Sequence, residues 1–130
     1  MSHHRHVVNA DNAPEPVGPY SHAAVSNGLL FCSGQVALDP ASGELVGDTA
    51  ADQARQCLTN LEAVCAAAGA KLADAVRVTV WLVDMNDFVA VNEVYAGFFS
   101  DEPPARVAIA VAALPKNATV EIDAVVALPD

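Results

Sequence analysis

At 130 residues the chain has room for one domain, and with 53% hydrophobic residues it can bury a full core at that length. Six Lys and Arg against sixteen Asp and Glu give a formal net charge of -10, which repels phosphate backbones and argues against a nucleic-acid partner. No apolar run approaches membrane-spanning length, and the polar start Met1-Ser2-His3-His4-Arg5-His6 is followed by no apolar leader, so neither a membrane partner nor secretion is expected.

Along the chain, residues 1–6 read as a flexible terminus, in which His3, His4 and His6 could hold a metal weakly but more simply fray. Val7-Val8 is a short strand candidate. Pro14, Pro16, Gly18 and Pro19 make Ala13 to Tyr20 an irregular loop. Asn27-Gly28 signals a type I′ hairpin joining His22–Ser26 to Leu29–Val36, and Asp39-Pro40-Ala41-Ser42-Gly43 marks another turn. A helix is predicted from Asp48 or Thr49 to the Gly69 stop, with the stripe Ala54, Leu58, Leu61, Cys65, Ala68 facing a sheet. Cys57 and Cys65 sit about 12 Å apart along that helix, too far to pair. With Cys32 they are odd in number and lack metal-ligand spacing, which fits core packing in a reduced cytoplasm. A strand follows over Ala75–Asp84, with Val76, Val78, Val80 and Leu82 on the buried side. A second helix, about Asn86 to Phe99, buries Phe88, Val91, Tyr95 and Phe98.

Two more strands close the chain, each carrying an ionised group that apolar neighbours do not explain. Arg106 begins Arg106–Ala112 and shares parity with Ala108 and Ala110; Glu121 lies in Thr119–Ala127, opposite in parity to Val120, Ile122, Ala124 and Val126. A guanidinium among alanines leaves room for a ligand carboxylate, held bidentately. The plainer reading is an Arg–Glu salt bridge at a strand edge. The element order favours an α+β layer, a mixed sheet with two helices on one face. The uncovered face is expected to carry Arg77, Thr79, Trp81, Arg106, Ala108 and Glu121, and self-association is its simplest cover.

Gly18-Pro19-Tyr20-Ser21-His22-Ala23, Ser33-Gly34-Gln35, Gln53-Ala54-Arg55-Gln56, Asp84-Met85-Asn86-Asp87-Phe88 and Val91-Asn92-Glu93-Val94-Tyr95 follow one another in order. Pro104-Ala105-Arg106, Leu114-Pro115-Lys116 and Val120-Glu121-Ile122 complete the series. Together they resemble the RidA/YjgF family of reactive-intermediate enamine/imine deaminases over nearly the whole chain, as a single domain. The resemblance implies a chorismate-mutase-like α+β protomer, assembled as a homotrimer with sites in the intersubunit clefts. It implies hydrolysis of 2-enamine or 2-imino acids, such as 2-iminopropanoate and 2-iminobutanoate, to 2-keto acids and ammonia, without cofactor or metal.

Carried over residue by residue, the resemblance makes Arg106 the carboxylate clamp and Glu121 the group that holds or activates water. Tyr20 becomes a pocket wall or a loop anchor, and Ser33 lies near the floor. Asn92 supports the site or is a surface amide. The chain departs from the family at Ala108, where a cysteine is frequent, leaving only a backbone carbonyl that could touch the leaving ammonia. It departs again in the short connection Ser100–Pro104, which reshapes the rim. His22 reads as an exposed strand residue or, less simply, a proton donor. A Ser–His–Asp hydrolase has no nucleophile-elbow pattern to support it. The alternatives are a deaminase for a larger enamine acid and a non-catalytic metabolite-binding or chaperone-like trimer.

Overall fold

The computed structural model describes residues 5–130, so His3 and His4 lie outside the described residues. Six strands form one sheet: β1 (His6–Val8), β2 (Ala23–Ser26), β3 (Leu29–Val36), β4 (Ala75–Leu82), β5 (Ala105–Ala110) and β6 (Val120–Ala127). Two helices, α1 (Ala50–Ala67) and α2 (Phe88–Phe98), complete the mixed α+β fold. In space the strands run β1-β2-β3-β6-β4-β5, antiparallel except for the parallel β4–β5 pair. The chain's last strand thus fills the sheet centre, and β5 is an edge.

Local chemistry accounts for most boundaries. Asn27 and Gly28 both take positive φ, 53° and 77°, as the tight hairpin between β2 and β3 requires. Thr49 caps α1 by accepting the Asp52 N–H at 3.1 Å, and Gly69 (φ 74°) terminates it. Ala54, Leu58, Leu61 and Cys65 are fully buried against Leu30, Val78, Val80, Val120 and Ile122; Ala68 is only half-buried. Cys32 and Cys57 join them in this core. The Cys57 Sγ–H meets the Val120 carbonyl at 3.7 Å, and burial pushes its thiol pKa up, which fits packing better than reactivity.

Two expectations fail for identifiable reasons. Val76 is half exposed because β4 inserts it as a bulge: Ala75 pairs with Val126 and Arg77 with Val125, so one residue leaves the alternation. Phe99, just past α2, is buried at 4% in place of Phe98, and its ring packs 4.6 Å from that of Tyr95. The chain leaves helical geometry at Phe99 (φ -131°), which rotates that ring into the core.

Candidate active site

Glu121 stands on the sheet face away from the helices, in register with Trp81 on β4 and Val36 on β3. The space beside it comes from a bulge. Cys32 pairs with Ala124 and Gln35 with Ile122, so β3 spends one residue more than β6 across Ser33-Gly34. Gly34 leaves room for the Glu121 carboxylate, which a Cβ at that position would push aside. The resulting cavity of about 340 Å³ is lined by Tyr20, Ser33, Gly34, Val36, Pro115 and Glu121 among others. Burial pushes the Glu121 pKa above the usual carboxylate range, and the Asp123 carboxylate, two residues along the same face, adds to the effect.

The N-terminal loop supplies the outer wall. The Tyr20 hydroxyl accepts the Val17 N–H at 3.2 Å, so the ring is both anchored in its loop and part of the cavity lining. Ser33 Oγ donates to the Ser21 carbonyl at 2.7 Å, and its N–H to the His22 carbonyl at 2.9 Å, which ties that loop to the cavity floor. His22 is 2% exposed, not a surface residue. Its Nδ1 accepts the Ala10 N–H at 2.9 Å, so Nε2 carries the proton toward the Pro14 carbonyl at 2.6 Å. Both ring nitrogens are committed to shaping the loop, which leaves neither for a substrate.

Arg106 and Ala108 lie on the opposite face from the one expected. Arg106 is in register with the buried Val78, and Ala108 with Val80, so both point with the helix-covered side, whereas Val107 and Ile109 take the open side. No Arg106–Glu121 salt bridge forms; among the described residues the one ion pair is Arg55–Asp52. The Arg106 guanidinium instead donates from one terminal nitrogen to Asn92 Oδ1 at 2.7 Å. It sits over the Tyr95 ring at 4.7 Å and the Phe88 ring at 5.5 Å. A groove of about 380 Å³ opens beside it, walled by Asn92, Tyr95, Phe99, Pro103 and Pro104. The short connection before β5 therefore forms the rim of the Arg106 groove, turning through Glu102 at φ 45°.

The structure thus brings Tyr20, Ser33 and Glu121 together in one cavity and Asn92 and Arg106 together in another, and separates the two groups. Sequence reasoning passed over Gly34, Asp123 and the Phe88–Tyr95 platform. Asp123 was visible as the next residue of Glu121's parity. The platform was visible as the spacing 88, 92, 95 on one helix. Among the described residues no group of three His, Cys, Asp or Glu could hold a metal ion.

The family model described as endoribonuclease L-PSP matches residues 10–128. A RutC family protein of Pyrococcus horikoshii is 48% identical over 93% of this chain and 96% of its own length. The human protein named 2-iminobutanoate/2-iminopropanoate deaminase is 44% identical over 93% of this chain and 88% of its own. The crystal structure of RidA from an Antarctic Psychrobacter superposes with a TM-score of 0.91 at 40% identity, covering 95% of this chain and 99% of that one. A family match over residues 10–128, with relatives 40–48% identical over nearly the whole chain, means that the chain belongs to the RidA/YjgF family.

Proposed function

We infer that the protein hydrolyses 2-imino acids and their enamine tautomers to 2-keto acids and ammonia, in a cleft that a neighbouring copy completes. The observation that carries this is the Glu121 carboxylate, half-buried with a raised pKa in a cavity of small-metabolite size. A carboxylate raised in this way is a stronger base than a solvated one and holds a proton between steps. In the first step Glu121 takes a proton from water as its oxygen bonds to C2 of the protonated imine, whose C=N π pair moves to nitrogen. The tetrahedral carbinolamine then collapses: the hydroxyl proton passes to solvent water, its O–H pair forms C=O, and the C–N pair departs with the proton returned by Glu121, giving ammonia and the keto acid. An imine carbon is already electrophilic, so a positioned water and a fixed substrate suffice, with no nucleophilic side chain or cofactor.

Fixing the substrate falls to Arg106. Within one protomer it stands two strands from Glu121, about 10 Å, and across the sheet. A 2-imino acid of a few heavy atoms cannot touch both. The separation supports a homotrimer in which one copy's Arg106, exposed on its edge strand, reaches the Glu121 cavity of the next. The exposed Phe31, Val107 and Ile109 on the open face supply apolar surface for such contacts. The net charge of -10 disfavours RNA as a substrate.

The test is a coupled assay in which a pyridoxal-phosphate dehydratase generates 2-iminopropanoate from serine or 2-iminobutanoate from threonine. Wild type should accelerate keto-acid release. Arg106→Ala should lower kcat/KM by about 10²-fold, the loss of a paired charge-assisted contact. Wild-type inactivity on both substrates would overturn the reading.

A further inference from the structure

We propose that α2 is a guanidinium platform: Tyr95, with Phe88 and Asn92, holds the Arg106 side chain in the orientation in which it grips a substrate carboxylate. This rests on the carboxylate-clamp reading above and adds Tyr95 and Phe88 to it as positioning residues. Arg106 is exposed and long, and such a side chain ordinarily samples many rotamers, which a ligand must then freeze at a cost in affinity. Here the freezing is done in advance. Phe88, Asn92 and Tyr95 follow each other by four and three on α2 and so share one face, and all three meet the same guanidinium.

The geometry divides the guanidinium into two kinds of contact. Its flat face takes the rings, at 4.7 Å for Tyr95 and 5.5 Å for Phe88, an attraction between the cation and the π-systems that uses no N–H. Its edge holds five donors in a plane, one terminal nitrogen being tied to Asn92. Stacking therefore sets the plane while leaving donors of the fork for a carboxylate. The partners are also neutral. An Asp or Glu in the same place would hold the arginine as firmly but compete with an anionic ligand; an amide oxygen and two rings do not.

Tyr95 itself argues for the ring as the functional part. It is 7% exposed, and its buried hydroxyl has no hydrogen-bond partner among the described residues. A buried hydroxyl left unpaired is a liability, so within the protomer the residue does not hold its place through that oxygen. What it contributes is a large π-face beneath a cation and a packing contact with Phe99.

The test measures binding of 2-oxobutanoate, a stable 2-keto acid carrying the carboxylate, by titration calorimetry on the full-length protein. Tyr95→Leu, which removes the π-face, should weaken binding by roughly three- to tenfold. Tyr95→Phe, which keeps the ring, should restore affinity relative to Leu. In an Arg106→Ala background the Leu substitution should change nothing further, because there is no cation left to position. In the coupled assay Tyr95→Leu should raise KM with kcat retained, the pattern of lost ground-state binding. Should Tyr95→Leu fail to fold, Phe88→Leu, at a half-buried position on the same face, takes its place in the cycle. Equal loss in both Arg106 backgrounds, or Leu binding as tightly as wild type, would overturn the platform while leaving the clamp intact. Failure of the wild type to bind 2-oxobutanoate would overturn the clamp and the platform with it.

Discussion

Glu121→Gln separates two properties that the wild-type carboxylate combines. The amide can still hold a water but is a poor base, so kcat should fall by about 10²–10⁴-fold with a much smaller change in KM. Folding also raises this residue's affinity for a proton. Between the ordinary carboxylate pKa and the raised folded one, the folded state binds more protons than the unfolded, so stability from this group is greatest in acid and declines as pH rises through that interval. Thermal melts should accordingly show Glu121→Gln gaining on wild type above the interval and losing that gain below it, while wild-type activity falls as pH drops through the folded pKa. Gly34→Ala reaches the same carboxylate sterically: the added methyl displaces it, and kcat should drop without loss of the fold. Arg106 and Glu121 stand out in the sequence, since ionised residues on apolar strands need a reason. Their faces were not legible there. In β5 the larger side chains, Val107 and Ile109, read as core, yet they take the open face, and the register with Val78 sends Arg106 to the other.

Helix α1 acts on the cavities from behind the sheet, through side chains that periodicity alone marks as neither core nor site. Asn60, 1% exposed, donates to the Leu38 carbonyl at 3.0 Å and the Val36 carbonyl at 3.4 Å, just where β3 ends at the Glu121 cavity. Gln53 donates to the Gly47 carbonyl at 3.2 Å and accepts the Thr119 N–H at 2.9 Å, so one residue joins the entry of α1 to the entry of β6. Asn60→Ala removes the partner of the Leu38 carbonyl, while the Val36 carbonyl keeps the Leu38 N–H at 2.8 Å, and chemical denaturation should show a loss of about 1–3 kcal/mol. The helices, hairpin and strands were readable from periodicity, caps and the Asn27-Gly28 turn. The bulges at Val76 and at Ser33-Gly34 were not, because a bulge is a mismatch between two strands and neither strand's own pattern contains it.

For the whole molecule, the open face is the element most exposed to a direct test. Ile109 is 44% exposed on the edge strand, beside Val107 and facing the same way as Trp81. Ile109→Lys places a charge in the middle of the proposed contact, and light scattering on the variant should show a smaller species than wild type, with activity lost in parallel. Persistence of a fully active monomer would remove the shared cleft. The surplus of apolar strand faces was readable from the sequence, whereas the placing of Arg106 and Glu121 on two faces needed the strand order.

That strand order also governs when the molecule can come into being. β6 follows β3 and β4 in the chain yet lies between them, so a nascent chain that stops before Val120 carries an antiparallel β1-β2-β3 ribbon and a parallel β4-α2-β5 unit whose inner edges have nothing to pair with. Most contacts of the chain join residues far apart in sequence, and the central ones of the sheet must wait for β6 to emerge from the ribosome. The residue proposed as the base therefore arrives on the same strand that joins the two parts of the sheet.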